Sequence, residues 1–299
     1  MRITEGHLAR HYQGRRGGRG PALLDIAQDH ALAVLHRAGL FDRGLVFKGG
    51  TSLRKFRAGA AGRFSTDLDF YAPSDDVTVD VMAALANVEL DGFRFGIDRL
   101  EGDGRRADLV VDTPFGPPDV GARIEVSQRP LVLPPERLAL IELPIHARYD
   151  VAIPATPVIT VEEAIAEKLA RYRRTSLARD LYDLAWFAQR PLDDALVRRL
   201  WVVKVYFDVV DDHRGTPPLR PDEVLGDRDP RRFVAEDIGY LTQPVDVDAW
   251  IATVQGRYRF LTALTPQEAR WAACNPGHRH EVTEAVATLV ERADRRHHD

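Results

Sequence analysis

Val46–Phe70 reads VFKGGTSLRKFRAGAAGRFSTDLDF, a Gly-Gly-Thr-Ser turn followed by the paired carboxylates Asp67 and Asp69. Gly49 and Gly50 carry no Cβ, so the chain can turn sharply there and bring its N–H groups close to a phosphate. Thr51 and Ser52 add hydroxyls where a helix begins, and a helix start binds anions through its unpaired N–H groups. The turn is a candidate triphosphate cradle; ordinary helix capping is the competing account of both hydroxyls. In the following strand, side chains alternate, so Asp67 and Asp69 share one face while Leu68 and Phe70 face the core. Two carboxylates on one face repel unless a cation lies between them, and hard Mg²⁺, or Mn²⁺ in its place, favours such oxygens together with those of a substrate phosphate. Alternation with Phe47 leaves Lys48 open to either the site or solvent.

Upstream of the turn, Leu45–Phe47 reads as a short buried strand. Before it, Leu24, Ala27, Ala31, Leu35 and Ala38 recur at helical spacing between Pro21 and Gly39. Thr51 to about Ala58 reads as the helix after the turn. Downstream, Val77–Leu90 has a helical pattern, and strands are expected at Phe93–Leu100, Ala107–Asp112 and Arg123–Ser127. In the last of these, RIEVS, Glu125 faces opposite to Ile124 and Val126 and is a candidate third carboxylate; a solvent-facing glutamate is the alternative. Prolines at 114, 117, 118, 130, 134, 135, 144, 154 and 157 punctuate the passage to a helical half. That half opens on a Thr160/Glu163 capping-box pattern and continues with helices at Leu177–Ala188, Asp193–Asp211, Asp246–Ala263, Pro266–Ala273 and Glu281–Arg295. The expected class is α/β, a mixed sheet with a helical C-terminal region.

The glycine turn, the strand STDLDF and the later EKLARYRRTSLARDLYDLAWF (Glu167–Phe187) together resemble the AbiEii/MenT family of toxin nucleotidyltransferases, within the DNA polymerase β-like superfamily. The resemblance runs in order from Gly44 to Phe187. With the prolines setting a soft boundary near Pro157, it implies a polymerase β-like core at residues 1–157 and a helical domain at 158–299 completing the active-site cleft. It implies that Ser52 takes the hydroxyl position of the glycine motif, that Glu125 joins Asp67 and Asp69, and that Lys168 is the cation for the triphosphate. Asp180 and Asp183 resemble the acidic pair closing the signature; either a functional role or an i,i+4 pairing of Arg179 with Asp183 accounts for them. It further implies transfer of a nucleoside monophosphate from an NTP to an RNA such as a tRNA 3′ end, and a cognate antitoxin.

The chain's formal net charge of −4 argues against coating nucleic acid through overall charge, so an RNA partner must meet a local patch. Arg171, Arg173, Arg174 and Arg179 form the preferred one. Arg10, Arg15, Arg16 and Arg19 form a second, read as a solvated or mobile arm. The single Cys274 excludes an intrachain disulfide, and CNPGHRH lacks the spacing of a zinc site. With no long apolar run and no signal-like N-terminus, the expectation is a cytoplasmic chain with no membrane partner. Two other readings are an enzyme modifying a small-molecule or protein hydroxyl, and a catalytically silent nucleotide- or RNA-binding regulator.

Overall fold

The computed structural model describes residues 3–13, 18–101, 103–234 and 245–298. The described residues up to Pro130, with Pro135–Ile159, form one compact unit; Leu131–Pro134 and the described residues from Thr160 onward form a second.

In the first unit the order is α1 (Glu5–Tyr12), α2 (Arg19–Arg37), β1 (Val46–Lys48), α3 (Gly49–Leu53), β2 (Asp67–Tyr71), α4 (Asp75–Leu85), β3 (Val88–Leu90), β4 (Phe93–Glu101), β5 (Arg106–Asp112), β6 (Val120–Ser127), β7 (Glu136–Leu138) and β8 (Thr156–Val158). The strands make one sheet in the order β3-β4-β5-β6-β2-β1-β8-β7. It is mixed: β2 runs parallel to β6 and β1 parallel to β8, and the other neighbours are antiparallel. Phe47, Leu68, Phe70 and Ile124 alternate into the core and are fully buried, with the rings of Phe47 and Phe70 5.1 Å apart.

One expectation is corrected here. Val77–Leu90 is not one helix: α4 stops at Leu85, Asn87 takes a positive φ of 58°, and Val88–Leu90 turns back on Phe93–Phe95 through Asp91 and Gly92, at φ 54° and 85°. Asp-Gly between two extended runs is the residue pair that a two-residue hairpin loop demands, so this strand was legible. The division between the two compact units falls at Ile159/Thr160, two residues past Pro157. Pro157 lies inside β8, opposite Arg137 of β7, two strands too short to show a period.

Helix α2 is buried along nearly its whole circumference, so its polar flank needs partners inside the fold. Asp25 and Asp29 find them on the helical turn Arg54–Ala58 that continues α3. Lys55 Nζ lies 3.1 Å from Asp25 Oδ1, 2.8 Å from the Asp25 carbonyl and 2.6 Å from Asp29 Oδ1. His11 pairs with Asp25 at 2.9 Å, and the Tyr149 hydroxyl donates to Asp29 at 2.6 Å. This ionic knot holds the helix that follows the glycine turn against α2.

The second unit is helical: α5 (Val161–Tyr172), α6 (Ala178–Phe187), α7 (Asp194–Val210), α8 (Asp222–Leu225), α9 (Val247–Arg257), α10 (Pro266–Ala272) and α11 (Arg279–His298). Helix α5 packs on α7 and α6 on α9, around Ile165, Leu169, Trp201, Tyr206, Tyr258 and Trp271. Thr160 caps α5 as expected, accepting from the Glu163 N–H, but Glu163 does not complete a capping box. Its buried carboxylate accepts the N–H groups of Val132 and Leu133, each at 2.8 Å, and pairs with Lys204 at 2.5 Å. Those bonds tie residues 131–134 to this unit. Burial alone would lower the pKa of Lys204; Glu167 and Glu163 outweigh it and raise it.

Candidate active site

Strand β2 lies between β6 and β1, and its register assembles the candidate site of the first unit. Residues paired in register share a face of the sheet. Asp69 is paired with Glu125 of β6 on one side and Lys48 of β1 on the other, and Asp67 with Arg123. Asp67, Asp69, Glu125 and Lys48 therefore stand on one face, all half-buried, while Leu68 and Phe70 point the other way. Pairing across strands decides what alternation left open for Lys48. It also supplies a residue the sequence did not mark: Arg106 of β5 is in register with Glu125, its Nη2 3.3 Å from Oε1.

Gly49, at φ +76°, is the point where this face meets the turn. A Cβ there would lie 1.9 Å from Asp69 Oδ2 and 2.6 Å from its Cγ, so the aspartate sits where any other residue would place its side chain. At Gly50 a Cβ would come within 2.5 Å of Arg63 Nη2 and 3.0 Å of Ser65 Oγ. Both are buried side chains that the sequence reading passed over, although the run GRFSTD places them just ahead of the aspartates. Gly49→Ala is expected to cost at least about 2 kcal/mol, from a left-handed backbone plus displacement of Asp69. Thermal unfolding measures the loss; a variant as stable as the parent would mean that Asp69 is not pressed on the turn.

The hydroxyls of Thr51 and Ser52 are engaged within the fold. Both residues are fully buried; Thr51 Oγ1 donates to the Asp67 carbonyl and Ser52 Oγ to the Gly49 carbonyl at 2.9 Å. The first fixes the turn to β2 and the second closes it on itself. Of the donors expected from this motif, the backbone of the turn remains, with the Arg63 guanidinium beside it.

In the second unit Lys168, Asp180 and Asp183 come together. Lys168 Nζ is 2.7 Å from Asp183 Oδ2 and 3.4 Å from Asp180 Oδ1, and Arg171 grips Asp180 with two nitrogens, Nε lying 2.6 Å from Oδ2. Burial alone would raise the pKa of Asp180; Lys168 and Arg171 outweigh it and bring it to about 2. Lys168→Met should cost about 3 kcal/mol of stability, because two buried carboxylates lose an ammonium. Chemical denaturation reads this directly, and an unchanged midpoint would remove the lysine from the cluster.

The arginines expected on RNA are in large part engaged within this unit. Arg173 is buried and holds Glu223 through two nitrogens, at 2.7 and 3.0 Å; Arg174 lies 3.4 Å from Asp208; Arg171 holds Asp180; Arg179 is half-buried on the first turn of α6. Of the N-terminal cluster, Arg15 and Arg16 lie outside the described residues, and Arg19 pairs with Glu5 at 2.9 Å. Cys274 is buried, its thiol donating to the Ala272 carbonyl. No described helix is long and apolar enough to cross a membrane.

Against known proteins, the model of a family described as nucleotidyl transferase AbiEii toxin, type IV TA system, matches residues 32–275. Among solved structures, MenT4, a nucleotidyltransferase toxin from Mycobacterium tuberculosis, shares 52% identity over 96% of this chain and 99% of its own, with a TM-score of 0.92. JHP933 from Helicobacter pylori shares 19% identity over 82% of this chain and 95% of its own, with a TM-score of 0.46. No curated protein matches the sequence.

Proposed function

The chain belongs to the nucleotidyl transferase AbiEii toxin family of type IV toxin–antitoxin systems, and on that premise we propose that it transfers a nucleoside monophosphate from an NTP to a hydroxyl of an RNA, the 3′ end of a tRNA. One observation carries the chemistry: Asp69 is in register with Glu125 and Lys48 while its carboxylate lies against the backbone of Gly49. The glycine turn and a carboxylate face thereby meet at the same point of the first unit, which supports reading the turn as the phosphate cradle.

Among the described residues no three His, Cys, Asp or Glu side chains close around a point that would hold a metal. Mg²⁺ is held by one or two carboxylates and completes its shell with water and substrate phosphate oxygens. Asp67 and Asp69, two apart on one strand face, would hold it. When bound, it offsets triphosphate charge and makes an attacking hydroxyl easier to deprotonate. The chain's own groups supply the rest. The Gly49–Gly50 turn and Arg63 bind the phosphates, Lys48 adds positive charge on the Asp69 face, and Arg106 orients Glu125. Glu125 takes the proton of the acceptor hydroxyl as its oxygen bonds to the α-phosphorus; the α–β bridging bond breaks and pyrophosphate leaves. Family membership supplies the biological role, a toxin held in check by an antitoxin partner.

The test is incubation of the purified chain with each labelled NTP, Mg²⁺ and total RNA. Label is expected on small RNA, confined to the 3′ end. Label on the protein or on a small molecule would change the acceptor and keep the chemistry. NTP binding with no label on any acceptor would overturn the enzyme reading in favour of a regulator.

A further inference from the structure

A recess of about 420 Å³ opens in the second unit where α5 ends and α6 begins. Arg173, Arg174, Arg228 and Arg232 line it with Thr175 and Ser176, and no acidic side chain does. The charges around it do not cancel. Glu223 answers Arg173 and Asp208 answers Arg174. Arg228 donates to carbonyl oxygens, those of Thr175 at 3.0 Å, Tyr172 at 2.7 Å and Glu223, and makes no ion pair among the described residues. Arg232 is exposed and has no carboxylate partner among the described residues; burial, with the nearby Arg232, outweighs Tyr172 and Glu223 and lowers the pKa of Arg228. Arg173, only 7% exposed, keeps its Nη1 without a hydrogen-bond partner. Leu177, at the N-cap of α6, provides no side chain to cap that helix.

Two guanidinium groups that make no ion pair among the described residues, beside a helix start without a side-chain cap, form a site for a tetrahedral oxyanion, since the planar fork of arginine matches phosphate. No aromatic ring lines the recess, and the face of the neighbouring Tyr172 is covered by Arg228, 3.8 Å from the ring centroid. A nucleobase has no aromatic platform there. We infer that the recess is a phosphate-binding site and that it takes a backbone phosphodiester of a polynucleotide, which gives the proposed RNA acceptor a foothold in the second unit. The source of the phosphate rests on the RNA-acceptor reading; the site itself does not.

Arg232→Gln and Ser176→Glu test it, each built into the full-length Asp69→Asn chain so that binding is read without transfer. Titrations use a labelled single-stranded RNA at several salt concentrations, and a nucleoside triphosphate alone. Arg232→Gln is expected to weaken RNA binding severalfold irrespective of sequence and to make its salt dependence shallower by about one charge. Ser176→Glu should weaken it further, and triphosphate affinity should stay constant. Weakened triphosphate binding with unchanged RNA binding would keep the phosphate site and overturn the phosphodiester as its ligand. Unchanged binding of both ligands, while the parent still labels RNA, would overturn the site and leave the acceptor reading standing. A parent chain that neither binds nor labels RNA would overturn that reading and the phosphodiester with it, and the triphosphate titration would then decide the site alone.

Discussion

Asp69→Asn is expected to lower nucleotidyl transfer by about a thousandfold, roughly 4 kcal/mol of transition-state stabilisation, with little change in thermal stability. The substitution keeps shape and volume at the Gly49 contact and removes the charge at the centre of the Lys48–Asp69–Glu125 row. Transfer is measured with the acceptor identified by labelling, and folding by circular dichroism. Asp67→Asn should fall nearly as far, because it removes the other carboxylate of the same face. Wild-type rates in a folded Asp69→Asn chain would sink the metal-binding assignment and, with it, the proposed mechanism.

The largest stability effect is expected at Lys55. In Lys55→Met, Asp25 and Asp29 remain buried on α2 and lose the ammonium that contacts both, a change of about 3–5 kcal/mol, enough to erase much of a domain's stability. The same residue sets the response to acid. Burial alone would raise the pKa of Asp29; the charge of Lys55 and the hydrogen bond from His146 outweigh it and bring it to about 2. A carboxyl depressed on folding contributes stability that is fully present above its unfolded pKa of about 4 and is lost as pH falls through the folded value. The parent chain should therefore weaken between about pH 4 and pH 2, and Lys55→Met, already weakened at pH 7, should lose less over that interval. Denaturant midpoints measured across this range decide it. A variant with the parent's midpoint at pH 7 would show that the carboxylates are satisfied without the lysine.

The Asp67/Asp69 face was legible because strand alternation is a local rule: residues two apart share a side whatever the strand pairs with. The hairpin at Asp91–Gly92 was equally legible and was overlooked because the apolar residues of Val77–Leu90 also fit a helical period. The roles of Thr51 and Ser52 were not legible. A hydroxyl at a helix start can donate to a ligand or to a carbonyl, and the choice depends on β2 lying alongside. Nor was the engagement of the arginines: charge is counted along the chain, but Glu223 and Asp208, the partners of Arg173 and Arg174, are 50 and 34 residues away.

From the sequence by itself came the glycine turn, the carboxylate pair, the alternation of Glu125 and the helical second half, each carried by the conformational limits of a few neighbouring residues. The tertiary structure alone decided that β2 lies between β6 and β1, and so that Lys48, Asp69 and Glu125 stand in one row with Arg106 beside them. It alone bound the acidic flank of α2 to Lys55 and left Arg228 and Arg232 without an ion-pair partner among the described residues. Hydrogen-bond registry and charge pairing depend on which groups meet in space, and in this chain the groups that meet are separated by up to 77 residues within that one row.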